Sequence, residues 1–353
     1  MTKRKATKRK ATKRAKISTS KPSTSKITRP TQPRVPRSGH PRRQAGLAAP
    51  ATTDAILLVA FGGPTAPHEI RPFLANVARG RRIPAERLEE VARHYEALPG
   101  GRSPLNELTL AKARALETAL ARAGRARPVF VGMRNWHPYL AETLTDMAAR
   151  GYQRVFGIIL SAFRTDASWD RYVNDVAEAR AQVARAPEIV FAPPWSDHPR
   201  FLEAAADRCR AALAAVPAAE RSETPLVFTA HSVPLAMASG SPYVDEFTAA
   251  ARTVAGRLHH DRWMLAYQSR SGSPRDPWLE PDVNDVLRTV AKEGARHVVV
   301  APLGFVSDHV EVLHDLDVQA RQTATAVGLA FHRAAALNDH PAFIAMLADL
   351  VPA

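Results

Sequence analysis

The sequence predicts an α/β protein of two doubly wound domains, each a parallel sheet covered by helices, with a cleft between them. From Asp54 onward, short apolar runs alternate with longer segments of helical period, as in parallel strands joined by crossover helices. The two halves also resemble each other, because AARG before YQRVFGIIL parallels AKEG before ARHVVVAPL. In such folds, ligands bind at the loops that follow the carboxyl ends of strands.

Eight apolar runs are predicted strands, with four in each half of the chain. They are AILLVA at Ala55, VFVGM at Val129, VFGIIL at Val155, EIVFA at Glu188, LVFTA at Leu226, WMLAYQ at Trp263, VVVAP at Val298 and LAFH at Leu329. The segments between them show helical spacing. In NELTLAKARALETALARAG, one face is rich in Leu and Ala, and Gly124 suits the left-handed residue that ends a helix.

We predict a disordered basic tail over residues 1–52, a first domain over 53–187 and a second over 188–335. A C-terminal helix over 336–353 is expected to pack back on the first domain. Met1 to Pro50 contains 16 Lys and Arg and no Asp or Glu, which accounts for the whole net charge of +15. The basic charge therefore does not predict a nucleic-acid-binding face on the folded part.

The tail itself has two interpretations. It is either an arm that binds an anionic partner (nucleic acid, acidic lipid or an acidic protein), or a segment without a binding role, which is a solvated extension or the result of an upstream start codon. An organellar transit peptide is disfavoured, because the segment lacks an apolar stripe.

Composition excludes several classes of protein. Hydrophobic residues make up 45% of the 353 residues and charged residues 24%, which is typical of a soluble globular protein. Cys209 is the single cysteine, so no internal disulfide and no self-supplied iron-sulfur cluster is expected. No apolar run reaches the roughly 20 residues that span a bilayer, and no hydrophobic signal region is apparent. A cytoplasmic location is expected.

The first loop of chemical interest, FGGPTAPHEIRPFLANVARGRRIP, follows the first strand. It contains neither G-x-G-x-x-G nor G-x-x-x-x-G-K-[ST], so nucleotide binding is disfavoured. Arg79, Arg81 and Arg82 could bind carboxylates through bidentate hydrogen bonds or form a solvated turn.

The second loop, TAHSVPLAMASGSPYVDEF, begins with His231 at the end of a predicted buried strand. This histidine is either a structural residue or part of a site at the mouth of the sheet. HSVP does not match G-x-S-x-G, so an esterase is disfavoured.

The third loop, GFVSDHVEVLHDLD, crowds acids and imidazoles together after a buried strand. If Ser307 begins a helix, Asp308, Glu311 and Asp315 stand at i, i+3 and i+7 and share one stripe. The stripe is either a solvated acidic face or one wall of a site that His231 faces. A histidine opposite carboxylates suits transient divalent-metal binding or proton transfer.

Six blocks of sequence, in order from about Ile56 to Phe343, resemble the ferrochelatases, which insert ferrous iron into a porphyrin in haem biosynthesis. The blocks are FGGPTAPHEIRPFL, HYEALPGGRSPLNELT, GMRNWHPYL, TAHSVPLAMASGSPY, AYQSRSGSPRDPWLEPDV and PLGFVSDHVEVLHDLD. The resemblance implies two Rossmann-like domains with a porphyrin cleft between them. It also implies that porphyrin and ferrous iron are the substrates.

The resemblance assigns the metal and proton chemistry to the second half of the chain. His231 matches the family's essential histidine and Glu311 its essential glutamate, and both would contact the metal. Asp308 and His309 fall in the same block and are expected to be catalytic. In the family the helix of this block is often π-type, which would alter the stripe described above.

The first half of the chain is expected to bind the porphyrin. Arg79, Arg81 and Ser103 match positions near the porphyrin propionates. Phe61 stands where some members have a tyrosine that can ligate haem iron, so an axial phenolate from this position is excluded. The single cysteine again argues against an iron-sulfur cluster, and the chain ends without the extension of membrane-associated members.

The substrate is expected to be coproporphyrin III or protoporphyrin IX. The GGP and NVARGRR blocks look closest to the soluble branch that includes coproporphyrin users. The alternatives are a chelatase for another metal or tetrapyrrole, and a non-catalytic binder of haem or nucleic acid that uses the basic tail. No stable nucleic-acid partner is expected under the leading interpretation.

Overall fold

The computed structural model describes residues 53–80, 83–271 and 276–353. The predicted tail over residues 1–52 lies outside the described residues, as do Arg81 and Arg82.

Two parallel four-stranded sheets confirm the predicted fold class. The first sheet has the order β2-β1-β3-β4 and the second the order β6-β5-β7-β8, so both halves repeat one winding. The strands are β1 (Ala55–Ala60), β2 (Val129–Met133), β3 (Arg154–Ile159), β4 (Glu188–Phe191), β5 (Leu226–His231), β6 (Trp263–Gln268), β7 (His297–Ala301) and β8 (Ala330–Arg333). The winding reverses at β1 and β5, which makes their carboxyl ends the expected ligand-binding points.

Helices connect the strands and cover the sheets. They are α1 (Ile70–Ala78), α2 (Ala85–Glu96), α3 (Leu105–Arg122), α4 (Leu140–Ala149), α5 (Arg171–Ala181), α6 (Pro199–Ala214), α7 (Leu235–Ser239), α8 (Tyr243–Arg257), α9 (Val283–Lys292), α10 (Val310–Leu313), α11 (Arg321–Ala326) and α12 (Pro341–Leu350). After α3, Gly124 has φ of +70°, the left-handed conformation predicted at this helix end.

The largest apolar cluster joins the two sheets. It includes Ile56 and Leu58 of β1 together with Leu226 and Phe228 of β5. All residues of β1 are buried, which fits a continuous apolar run in a central parallel strand. Helix α12 packs against α3 and α6, so the end of the chain contributes to the same core.

The position of β4 does not agree with the predicted domain boundary between residues 187 and 188. It pairs in parallel with β3, with Arg154 opposite Glu188, and so completes the first sheet. The boundary predicted before residue 188 would assign this strand to the second domain. The pairing favours a boundary in the connection after β4, which agrees with the count of four strands in each half.

No helix within the described residues is both long enough and apolar enough to cross a membrane.

Candidate active site

His231 is the last residue of β5, at the point where the second sheet reverses its winding. The five residues before it in the strand are buried, whereas 30% of the His231 side chain is exposed. Its Nδ1 lies 2.5 Å from the carbonyl oxygen of Ser232. The hydroxyl of Tyr243 donates a 2.9 Å hydrogen bond to the backbone carbonyl of His231. With the Nδ1–H donated to Ser232, the other ring nitrogen is directed at the site.

Glu311 faces His231 from the loop and helix that follow β7. Glu311 Oε1 lies 3.6 Å from His231 Nε2, and its carbonyl accepts a 2.6 Å hydrogen bond from Gln268. Gly304 makes this approach possible, because a Cβ there would lie 2.6 Å from the Cβ of Ala230. The structure therefore brings together the two residues predicted to contact the metal.

The two side chains shift each other's pKa in opposite directions. Burial lowers the pKa of His231, but the Glu311 carboxylate and the Ser232 carbonyl outweigh it and raise that pKa above 6.5. Burial would likewise raise the pKa of Glu311, but the imidazole of His231 holds it well below its usual range. The pair therefore favours a protonated imidazole beside an ionised carboxylate, and each charge stabilises the other.

Asp308 lies in the same loop but is turned toward other partners. Arg333 Nη1 donates to its Oδ1 at 2.9 Å, and Asn338 Nδ2 donates to its Oδ2 at 2.7 Å. Its backbone N–H also donates to the Asn338 side chain. Both carboxylate oxygens are thus engaged in holding the loop.

His309 caps the amino end of α10. Its Nδ1 accepts a 3.1 Å hydrogen bond from the Glu311 N–H, and its ring packs edge-on against Phe305 at 5.2 Å. Burial lowers the pKa of His309, so the ring is neutral near pH 7. In this geometry His309 orients the turn that carries Glu311.

No helix begins at Ser307, which was the condition for a shared stripe of carboxylates. The helix begins at Val310 and passes into a π-helix over Asp315–Ala320, so Asp308 does not share a stripe with Glu311 and Asp315. The extended backbone at His309, with φ of −150°, separates Asp308 from the helix. A π-type segment does occur, as the resemblance implied, but only from Asp315 onward.

Asp315 is the first residue of this π-helix, four residues after Glu311. Burial raises the pKa of Asp315 to about 7, against a hydrogen bond from Ser269 that lowers it. The Ser269 hydroxyl donates to Asp315 Oδ2 at 2.5 Å, from a residue with a left-handed φ of +62°. This backbone conformation is uncommon for serine. Sequence reasoning missed Ser269, although its place directly after β6 was a usable signal.

Phe61 and Ser103 lie at the carboxyl end of the first sheet. Phe61 directly follows β1, is 38% exposed, and packs edge-on against Phe73 at 6.4 Å. Ser103 is buried and packs tightly against Gly63. A Cβ added to Gly63 would lie 2.9 Å from the Cβ of Ser103. Phe61 is therefore available to a ligand, while Ser103 mainly shapes the loop.

Arg79 ends α1 and is exposed. Its Nη2 donates to the Asn76 side chain at 2.6 Å. Arg81, the second arginine predicted to bind propionates, lies outside the described residues.

An aromatic cluster from the first half packs on the helix that carries Glu311. Phe73, Tyr95 and Trp136 are buried together with Val310 of α10. Phe73 contacts the other two rings edge-on, at 5.7 and 6.1 Å. The two halves therefore meet directly at the site.

His231 and Glu311 are the two potential metal ligands that the structure brings together at the carboxyl end of β5. Across residues 53–80, 83–271 and 276–353, no group of three or more His, Cys, Asp and Glu is placed to hold a metal ion. His231 and Glu311 could supply two ligands to a metal ion. The other coordination positions of the ion would then be filled by groups that do not come from this set of residues.

The model of the family described as Ferrochelatase matches residues 53–353. Among curated proteins, the chain is 45% identical over 302 residues to the coproporphyrin III ferrochelatase of Mycolicibacterium smegmatis, covering 84% of this chain and 88% of the relative. It is 45% identical to the protein of that name from Frankia alni, over 84% of this chain and 79% of the relative. It is 41% identical to the protein of that name from Streptomyces griseus, over 86% of each chain.

Solved structures show the same fold at low sequence identity. SirB from Bacillus subtilis, described with Fe³⁺, aligns with a TM-score of 0.54 at 11% identity, over 85% of this chain and 96% of SirB. The sirohydrochlorin chelatase SirB from Bacillus subtilis subspecies spizizenii, in complex with cobalt, aligns with a TM-score of 0.50 at 12% identity. The alignment covers 85% of this chain and 94% of that SirB chain.

Proposed function

Because the chain belongs to the ferrochelatase family, whose enzymes insert iron into a porphyrin in haem synthesis, we propose that its porphyrin is coproporphyrin III and that His231 and Glu311 act on the metal and the protons. The substrate proposal is supported by the three bacterial relatives that carry this substrate in their names, at 41 to 45% identity. The residue roles are supported by one observation, the 3.6 Å approach of His231 Nε2 to Glu311.

The reaction exchanges two pyrrole protons for one Fe²⁺ ion. His231 must be in its neutral form before Nε2 can bind the ion or accept a proton from a pyrrole. The Ser232 carbonyl holds the Nδ1–H, so the lone pair forms on the nitrogen that faces Glu311. Glu311 stays ionised, so its carboxylate attracts the cation and stabilises the positive charge on His231 when the ring takes up a pyrrole proton.

Asp315 is suited to pass protons onward. Its raised pKa, about 7, lets the carboxyl group accept and release a proton near neutral pH. His309 and Asp308 act on the geometry of the turn rather than on the substrates, since their polar atoms hold the backbone and the loop.

The porphyrin is proposed to lie against Phe61 with a propionate near Arg79. Phe61 offers an exposed ring at the end of β1, and Arg79 offers an exposed guanidinium at the end of α1. Arg81 is proposed to assist Arg79 on the basis of the sequence. No iron-sulfur cluster is part of the proposal, because Cys209 is the single cysteine.

The test is anaerobic Fe²⁺ insertion, followed by the Soret band, with coproporphyrin III and protoporphyrin IX offered in parallel. We expect the wild type to prefer coproporphyrin III, His231→Ala to abolish turnover and Glu311→Gln to reduce it at least about a hundredfold. His68→Ala, at an exposed histidine, is the matched control.

Each result bears on a separate part of the proposal. A preference for protoporphyrin IX would reject the substrate assignment, and near-normal turnover by His231→Ala would reject the role of that residue. Turnover only with another metal would instead favour a different chelatase.

A further inference from the structure

Lys112 of α3 is fully buried, with 0% of its surface exposed. Its Nζ donates a 2.6 Å hydrogen bond to Ser307 Oγ and lies 3.4 Å from the Leu108 carbonyl oxygen. Burial lowers the pKa of Lys112 to about 8, while Asp339 and Asp308 partly offset that effect. The ammonium therefore remains mostly charged at pH 7. A buried charge with so few partners destabilises the fold unless it serves another purpose.

The hydrogen-bond partner of Lys112 lies in the loop that delivers Glu311. Ser307 is 2% exposed and stands between β7 and the cap of α10. The second half of the protein holds this loop on two sides. The Gly304 N–H donates to the Thr229 carbonyl of β5, and Asn338 binds the backbone at Val306. Lys112 adds an anchor from the first half.

The helix that carries Lys112 also holds the loop after β1. Asn106, in the first turn of α3, accepts a 2.8 Å hydrogen bond from the Gly63 N–H and donates to the His137 carbonyl at 3.0 Å. Lys112 lies six residues further along, about 9 Å at the rise of an α-helix. One rigid helix thus connects the loop after β1, on the proposed porphyrin side, with the Glu311 loop.

We propose that Lys112 is a positioning residue for iron insertion: its hydrogen bond to Ser307 fixes the Glu311 loop relative to the half of the protein that binds the porphyrin. This inference rests on the proposed function. Lys112 does not touch the substrates, and it acts through Ser307 on the placement of Glu311.

The first test is Lys112→Met, which keeps a side chain of similar length and removes the donor. We expect kcat for iron insertion to fall about ten- to a hundredfold, because small displacements of catalytic groups have effects of that size. The porphyrin KM should stay within about twofold. The melting temperature should be unchanged or higher, since an apolar residue of similar volume often replaces a buried charge without loss of stability. Lys292→Met, at an exposed lysine, is the matched control.

Two further variants test the hydrogen bond itself. Lys112→Gln retains an N–H donor and should turn over faster than Lys112→Met. Ser307→Ala should reproduce the defect of Lys112→Met, and the double variant should be no slower than either single variant, because both changes remove one contact.

Amide hydrogen exchange of residues 304–311 gives a readout that does not depend on turnover. We expect faster exchange in Lys112→Met than in wild type, and no change in Lys292→Met. The inference is overturned if Lys112→Met has wild-type kcat and exchange, if its defect follows a lowered melting temperature alone, if Lys112→Gln is no faster than Lys112→Met, or if the losses in the double variant add. Failure of the wild type to insert iron would instead count against the proposed function.

Discussion

At the scale of single residues, the His231 and Glu311 pair makes the site sensitive to pH. The carboxylate raises the pKa of His231 above 6.5, so the ring keeps its proton at higher pH than a free imidazole. Metal binding and proton acceptance both need the neutral ring. The competition between a proton and Fe²⁺ for Nε2 should therefore be visible in the rate.

We predict that kcat/KM for Fe²⁺ rises with pH through a midpoint above 6.5. Glu311→Gln removes the charge that raises the pKa of His231 and leaves burial, which lowers it, so the midpoint should move down. NMR titration of the imidazole in both proteins, with His68 as an internal reference, measures the shift. A His231 midpoint that does not change in Glu311→Gln would contradict this coupling.

The same pair contributes to stability over a defined pH range. The contribution of His231 is fully present below its unfolded pKa and is lost as pH rises through its folded pKa. The contribution of Glu311 is present above its unfolded pKa and is lost as pH falls through its lowered folded value. Both contributions are therefore greatest between the unfolded pKa values of the carboxyl and imidazole groups.

Asp315 is expected to destabilise the folded protein when it ionises, in contrast to the His231 and Glu311 pair. Because its folded pKa is raised to about 7, the ionised carboxylate destabilises the folded state at higher pH. Asp315→Asn should melt at a higher temperature than wild type at pH 8, with a difference that shrinks as pH falls toward 4, and should insert iron more slowly. Thermal melts across this range measure the first effect and the Soret assay the second. A lower melting temperature at pH 8 would show that the carboxylate is not destabilising.

At the scale of secondary-structure elements, the close approach of the Glu311 loop to β5 sets the site geometry. The Gly304 N–H donates to the Thr229 carbonyl at 2.9 Å, and no side chain fits between the two segments. The loop and the strand therefore share one rigid arrangement around His231.

We predict that Gly304→Ala lowers both stability and kcat. Its Cβ would lie 2.6 Å from the Cβ and 2.7 Å from the Cα of Ala230, so the backbone must move. Overpacking of this kind costs about 1 to 3 kcal/mol, and the loop displacement should slow iron insertion about tenfold or more. The control is Gly256→Ala in α8, where a Cβ meets nothing within 4 Å and stability should stay the same or rise. Denaturant unfolding and the Soret assay measure both effects. Wild-type behaviour of Gly304→Ala would show that the contact does not constrain the loop.

At the scale of the whole molecule, the two halves are joined by both apolar and polar contacts. Arg164, after β3, binds Glu246 of α8 through its backbone N–H and its guanidinium. The rings of His94 on α2 and His314 after α10 stack with centroids 3.6 Å apart. These contacts and Lys112 give the site a fixed frame within the described residues.

We predict that deletion of residues 1–50 leaves iron insertion within about twofold of wild type. The segment carries the basic charge, whereas the groups proposed to act on substrates all lie after it. Turnover of the full-length and shortened proteins, measured at low and high salt, tests this. Loss of function on deletion, together with a steep salt dependence in the full-length protein, would favour a binder that uses the tail.

The sequence by itself determined the fold class and the strand ends at which we propose that chemistry occurs. Continuous apolar runs separated by helical segments predict buried parallel strands, and the observed strands begin at or within one residue of their predicted positions. His231 could be placed at a strand end for the same reason. These features follow from local pattern, which a single sequence records directly.

Only the tertiary structure decided how neighbouring polar residues divide their roles. Asp308 and Glu311 are close in sequence, yet they have different partners. Arg333 and Asn338 bind the carboxylate of Asp308, whereas the carboxylate of Glu311 faces His231. Lys112 resembles any helical lysine until the fold buries it against Ser307. Orientation, burial and pKa depend on partners far apart in the chain, so local pattern cannot record them.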